Sequence, residues 1–194
     1  MYYVPKTEKG RETVEKIIKA SMELFSEKGF TATSISDIAE KAGVAHGLFY
    51  FYFKSKYDIL DELVKIINKN MRRYLKLNTM NLSNRIDMEK VGFTKFFEWL
   101  ENNRNIYRIL IDAQVHKPEA YMWFYETLAD RYSQGLKKAM LEGQIVKVNP
   151  ELLAYTLIGI SHMLGLRYIL WHREGLTEKE LNDLNLLLER MLRP

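Results

Sequence analysis

The sequence predicts an all-helical protein, and three features carry that prediction. Apolar residues recur at spacings of three and four through most of the 194 residues, the period of a helix with one buried face. Only four prolines and ten glycines interrupt them, so long stretches are free of helix breakers. No convincing strand pattern, repeat or low-complexity tract is present. The expected architecture is an N-terminal three-helix unit with a helix-turn-helix over residues 1–56, then a larger helical domain over 57–194.

The elements follow in order. Val14, Ile17, Ile18, Ser21, Leu24 and Phe25 share one face of a helix expected over 11–28. Gly29 stops it, because glycine takes the positive φ needed just past a helix end, and Phe30 then falls where it can close back on Phe25. Ser34 and Asp37 form a capping box, and the short helix they open ends at Gly43. A second short apolar segment covers 45–53. Ser55 and Asp58 form another box, opening a long helix whose stripe runs Ile59, Leu60, Leu63, Val64, Ile67, Met71, Tyr74 and Leu75.

Residues 78–90 are polar and asparagine-rich, which predicts a loop or a frayed short helix. Three aromatic-rich helical segments follow at 91–103, 106–115 and 118–141. Asn149 before Pro150 reads as a cap with proline at the first helical position, starting a helix to about residue 172. Thr177 and Glu180 box the start of a leucine-rich last helix.

Composition removes several classes of function. With 47% apolar and 28% charged residues the chain can bury a core, which argues against disorder. The absence of cysteine excludes disulfides, thiolate metal sites and cysteine catalysis. His46, His116, His162 and His172 are dispersed without zinc-ligand spacing, and no glycine-rich phosphate loop or serine elbow occurs. No enzyme activity, metal or cofactor is therefore expected. Residues 1–10 lack an apolar run, so a secretory signal is not expected and a cytoplasmic location is. Residues 152–171 are long enough to span a bilayer, but they contain His162 and Arg167. An arginine well inside such a span costs about 2.5–3.5 kcal/mol. A helix buried at a subunit interface is the better expectation, with no membrane partner.

The segment 34–56 carries the functional reading. Two short helices joined at Gly43, behind a longer first helix, make a helix-turn-helix. Ala39 is small enough for the helices to cross closely, Val44 plugs the corner, and Ile35 and Ile38 face Leu24 and Phe25. Phe49, Tyr50, Phe51, Tyr52 and Phe53 are consecutive. Each helical residue is rotated by about 100° from the last, so five in a row sweep more than a turn and cannot all face one core. If Phe49 and Phe53 point inward, Phe51 and at least one tyrosine point outward. Lys41, Lys54 and Lys56 lie nearby with no acid between residues 41 and 57. Tyrosine hydroxyls can bond phosphate oxygens and phenylalanine can pack on thymine methyls, so duplex DNA suits this face. The competing reading makes Tyr50 and Tyr52 half-buried core residues, Lys54 and Lys56 a solvated face, and His46 a plain surface residue.

The stretch TSISDIAEKAGVAHGLFYFYFKSKYDIL, residues 33–60, resembles the DNA-binding segment of the tetracycline-repressor (TetR) family. The resemblance implies that Ser34 and Ser36 contact a phosphate, and that His46 and Gly47 open a recognition helix in the major groove. It implies DNA contacts for Tyr50 and Tyr52, and a phosphate contact for Lys56 at the start of the fourth helix. Ala45 stands where the family has a polar N-cap, Leu48 where threonine is frequent, and Phe51 where a polar residue or histidine is frequent. These three suggest apolar contacts to thymine methyls in place of hydrogen-bond readout.

For the second domain the resemblance implies dimerisation and an effector cavity. Phe93, Phe96, Phe97, Tyr107, Leu110, Tyr121, Phe124, Tyr125, Leu128, Tyr132 and Met163 are its candidate walls. Arg104 and Arg108, with His116, are candidates to meet an anionic head. A hydrophobic or amphipathic small molecule, such as a fatty acyl chain or its coenzyme A thioester, is the expected effector. Leu152, Tyr155, Leu166 and Leu170 of the apolar helix, with Leu181, Leu184, Leu188 and Met191 of the last, are the candidate homodimer contacts. The whole reading is a ligand-released repressor of palindromic operators. The alternatives are a helical protein–protein adaptor, or an activator of the same fold.

Overall fold

The computed structural model describes residues 5–194 of the chain, so the first four residues of the expected 1–56 domain lie outside the described residues. Among the described residues there are helices and no strands: α1 (Glu8–Lys28), α2 (Ile35–Ala42), α3 (His46–Tyr52), α4 (Lys56–Thr79), α5 (Arg85–Asn102), α6 (Arg104–His116), α7 (Pro118–Leu141), α8 (Pro150–Leu164) and α9 (Glu178–Leu192). A π-helical segment, Gly165–Trp171, continues α8.

They form two compact units. One holds the chain up to Asn68 together with Asn105–Phe124; the other holds Lys69–Arg104 and Tyr125–Pro194. The units do not divide at residue 56 as the sequence reading expects. At 24 residues α4 runs for about 36 Å and outreaches one small core. Ile59, Leu60, Leu63, Val64 and Ile67 are buried in its first half, and Asn68 donates from Nδ2 to the Phe124 carbonyl at 3.1 Å.

In the first unit α1 starts a turn earlier than its apolar stripe, because the Thr7 hydroxyl accepts from the Gly10 N–H at 3.1 Å. Gly29 ends it with φ of 85°, and the Phe30 ring meets Phe25 edge-on at 5.3 Å. Both halves of the Ser34–Asp37 capping box are made. Gly43 turns the chain in the left-handed region after α2. At α4 the expected box is half built. The Asp58 N–H meets the Ser55 hydroxyl at 3.4 Å, while the Asp58 carboxylate accepts from the Lys54 N–H at 3.1 Å.

In the second unit the expected loop at 78–90 shrinks to residues 80–84. Asn84 caps α5 by accepting from the Asp87 N–H at 3.1 Å, a spacing the sequence carries but the polar composition masks. Asn149 caps α8 through the Glu151 and Leu152 N–H groups at 2.9 Å each, and Thr177 and Glu180 box α9. α5 packs on α8 and α9. Where α5 approaches the π-helical segment, a Cβ on Gly165 would stand 2.7 Å from a Leu100 methyl, so any larger residue there requires the leucine to move.

Candidate nucleic-acid interface and cavity

Helix α3 is held by its inward face. Phe49, Tyr52 and Phe53 fall at spacings of three and four and are buried, with the Phe49 and Phe53 rings 6.0 Å apart. Ala45, His46, Gly47, Leu48, Tyr50 and Phe51 are exposed, Tyr50 at 48% and Phe51 at 59%. Folding has thus left two aromatic rings and a leucine in water beside the exposed Lys54, while their neighbours anchor the helix. His46 stacks edge-on with Tyr50 at 5.3 Å, which places it on the same outward face. Ser34 and Ser36 are exposed at the start of α2. Asp37 keeps a pKa below the usual carboxylate value, chiefly because the Ser34 N–H donates to it and then because of the Ser34 side chain.

Two expected DNA contacts sit elsewhere. Tyr52 is only 8% exposed, and its hydroxyl lies against the first turn of α1 at Gly10. The run of aromatics gives no sign of which tyrosine turns inward; the i, i+3, i+4 spacing from Phe49 decides it. The Lys56 ammonium donates to the carbonyls of Phe30 at 2.9 Å and Thr33 at 3.1 Å, reaches that of Thr31 at 3.4 Å, and lies 4.4 Å from the Phe30 ring centre. A lysine has three N–H donors, and these contacts engage all of them. Lys41 pairs with Glu23 at 3.1 Å. Lys54, two residues past the end of α3, is exposed.

Within the second unit lies a cavity of about 450 Å³, inside the range of small-molecule sites. Of the expected walls, Phe93, Phe96, Leu128 and Tyr132 line it. Phe97, Tyr125, Met163 and Arg104 do not. Tyr107, Arg108, Leu110, Tyr121 and Phe124 belong to the first unit and its packing. Arg108 donates to the Glu27 and Lys28 carbonyls at the end of α1, and His116 meets the Thr31 hydroxyl at 3.1 Å, so both are engaged within the first unit. Aromatic content could not separate the two cores, because α7 is divided between them after Phe124.

The sequence reading missed the α4 wall. Met71, Leu75 and Thr79 form one stripe of it, and Arg72 and Lys76 the next. It also missed Arg85, Met88 and Glu89 of α5, Arg131 of α7, and Leu157, Ile158 and Ser161 of α8. The four-residue spacings Arg72–Lys76 and Arg85–Glu89 were the available signal. Arg85 pairs with Glu89 at 2.6 Å, and the Tyr132 hydroxyl donates to the same carboxylate. Burial first, and then the Glu89 charge, hold the Tyr132 pKa well above the phenol value, so it stays a donor. Burial, and then the charge of Arg131, lower the pKa of Arg72.

Of the expected dimer contacts, Leu152 (65% exposed) and Tyr155 are open, and Leu166, Leu170, Leu181 and Met191 are half-buried. Leu184 and Leu188 are covered by their own chain, where α9 packs on α5, so they are not available to a partner. The strongest stripe of a helix fills its own core first. The open leucines of α9 are Leu186 and Leu187, one step round. Pro150–Trp171 is long and apolar enough to cross a bilayer, and a third of its most apolar 18-residue stretch is buried within the chain.

These features define a helix-turn-helix protein with a separate cavity-bearing helical unit. Residues 17–63, which hold the helix-turn-helix, match the model of the bacterial regulatory proteins of the tetR family. It is 46% identical over 68 residues to the uncharacterized HTH-type transcriptional regulator YvdT of Bacillus subtilis (strain 168), covering 35% of this chain and 32% of that one. It is 48% identical over 50 residues to the fatty acid metabolism regulator protein of the same organism, covering 26% of each. The chain thus spans a third or less of the length of these two relatives. Across 95% of this chain and 96% of the other, the fold resembles the fatty acid degradation regulator FadR from Bacillus halodurans, with a TM-score of 0.75 at 19% identity.

Proposed function

We propose that this chain is a transcriptional repressor that grips palindromic duplex DNA as a homodimer and lets go when a hydrophobic or amphipathic effector fills the cavity of the second unit. The observation that carries the DNA-binding reading is the outward face of α3, where Leu48, Tyr50 and Phe51 stand in water beside Lys54. Exposed aromatics on a short helix are unfavourable unless a partner covers them, and base methyls and phosphates suit this set. A helix-turn-helix of this size reads a short half-site, and two-fold pairing supplies the second about one helical turn away or a multiple of it.

The open apolar face of α8 (Leu152, Tyr155, Met163) and Leu186 and Leu187 of α9 support pairing of two copies there. The cavity supports the effector, and the fatty acid regulators among the similar proteins favour a fatty acyl chain or its coenzyme A thioester. α4 supports the coupling: its last turns line the cavity and its first turns belong to the helix-turn-helix unit. A ligand that binds the two positions of α4 with different affinity shifts their balance.

Selection of genomic fragments by the purified chain, followed by anisotropy titration of the recovered duplex, tests the reading. A site with two-fold symmetry and binding at least about a thousandfold tighter than to random duplex is expected. Equal affinity for all duplexes refutes it and favours an adaptor that binds only proteins.

A further inference from the structure

We infer that the cavity of the second unit recognises an anion: the head group of an amphipathic ligand sits among Arg72 and Lys76 of α4 and Arg131 of α7, with its apolar chain directed toward Phe93 and Leu157. The inference takes the cavity to be a ligand site, as proposed above, and adds that the ligand must carry an anion and which side chains hold it.

The charge on the walls is unbalanced. Four basic side chains line the cavity against one carboxylate, Glu89. That carboxylate is already engaged, paired with Arg85 at 2.6 Å and accepting from the Tyr132 hydroxyl. Among the described residues neither Lys76 nor Arg131 has a carboxylate partner. Arg72 and Lys76 stand one turn apart on one face of α4, so both present charge to the same side. Burial, and then the charge of Arg131, lower the pKa of Arg72, so the α4 and α7 cations lie within reach of one another's charge. Like charges gathered at an apolar space repel each other, and an anion bridging them removes that repulsion and accepts charge-assisted hydrogen bonds.

Polarity also changes along the cavity. Lys76 and Arg131 are exposed, Arg72 is half-buried, and Phe93 and Leu157 are buried. A molecule lying along that gradient keeps its charged end near water and buries its chain. A neutral apolar ligand would leave Lys76 and Arg131 without a counter-charge. A cationic one would be repelled by them, and would find the one carboxylate already spent.

The test is calorimetric titration of the full chain without DNA, using octanoate, dodecanoate, hexadecanoate, methyl dodecanoate, dodecylamine and dodecanoyl coenzyme A. At least one acid, or the thioester, is expected to bind. The methyl ester should bind at least about tenfold more weakly than dodecanoate, and the amine should not bind. Arg131→Gln and Lys76→Gln change exposed side chains, so their melting should match the parent. Each should weaken the anionic ligand about tenfold and leave the ester unchanged. Comparison of dodecanoate with the thioester tells whether a carboxylate or a phosphate supplies the anion, and either outcome supports the site if Arg131→Gln weakens it. The inference is overturned if the ester binds as tightly as the acid, if the double substitution leaves anion affinity unchanged, or if no anionic ligand in the series binds. Because DNA is absent, anion binding that leaves operator occupancy untouched in a separate titration would overturn the effector mechanism and support this site.

Discussion

Lys56→Met separates two roles for one side chain. The substitution keeps the stem and removes the ammonium. Two hydrogen bonds, at 2.9 Å to Phe30 and 3.1 Å to Thr33, are lost, with the 3.4 Å contact to Thr31 at the margin. At about 0.5–1.5 kcal/mol net each, the two bonds amount to roughly 1–3 kcal/mol. The ammonium over the Phe30 ring adds about 0.5–1 kcal/mol. Both bonds are part-buried, so water replaces some of this once the ammonium is gone, and about 1.5–2.5 kcal/mol is expected. Urea unfolding followed by circular dichroism measures the loss. Hydrogen exchange should localise it to residues 30–37, which the ammonium ties to the start of α4. The second assay is the salt dependence of operator binding. Each phosphate contact contributes a slope of about −0.9 in log K against log salt. If Lys56 is spent on carbonyls, the variant keeps the parent slope. A variant that melts like the parent while its slope falls by about 0.9 would refute this reasoning and restore the phosphate contact that the family resemblance implies.

The other predictions concern separate surfaces. Tyr50→Ala with Phe51→Ala should weaken operator binding by about 10–100-fold in an anisotropy titration while changing stability by about 0.5 kcal/mol or less; Phe49→Ala, one position earlier, should instead cost about 3–5 kcal/mol in a urea melt. Leu152→Glu with Met163→Glu should give a folded monomer in analytical ultracentrifugation, whereas Leu188→Glu should fail to fold because its side chain is buried in its own chain. Burial lowers the pKa of His162, whose Nδ1 lies 3.0 Å from the Tyr125 hydroxyl. The unfolded chain therefore takes up that proton first as pH falls below the ordinary histidine value of about 6.5, and stability declines from there down to the lowered folded value. Denaturant midpoints measured across this window should show the decline, and His162→Gln should flatten it.

Local chemistry made most of the fold legible. A capping box needs only two side chains three residues apart, so Ser34–Asp37 and Thr177–Glu180 announce their helices from sequence alone, as Asn149–Pro150 does. The same holds for the turn at Gly43 and for the rule that five consecutive aromatics cannot share one core. Short-range rules of this kind depend on residues within one or two turns, and those neighbours are fixed by the chain itself.

What the tertiary structure decided is which of two apolar faces each helix gives to its own core. It turned Tyr52 inward and Tyr50 outward, and engaged Lys56 with carbonyls more than twenty residues away. It closed α9 over Leu184 and Leu188 and left Leu186 and Leu187 open. It divided α7 between two cores, so that the cavity took its charge from Arg72, Lys76 and Arg131 and not from Arg104 or Arg108. The physical reason is common to all four. Periodicity states that a helix has an apolar stripe, but the neighbour that covers the stripe comes from elsewhere in the chain, and only packing selects it.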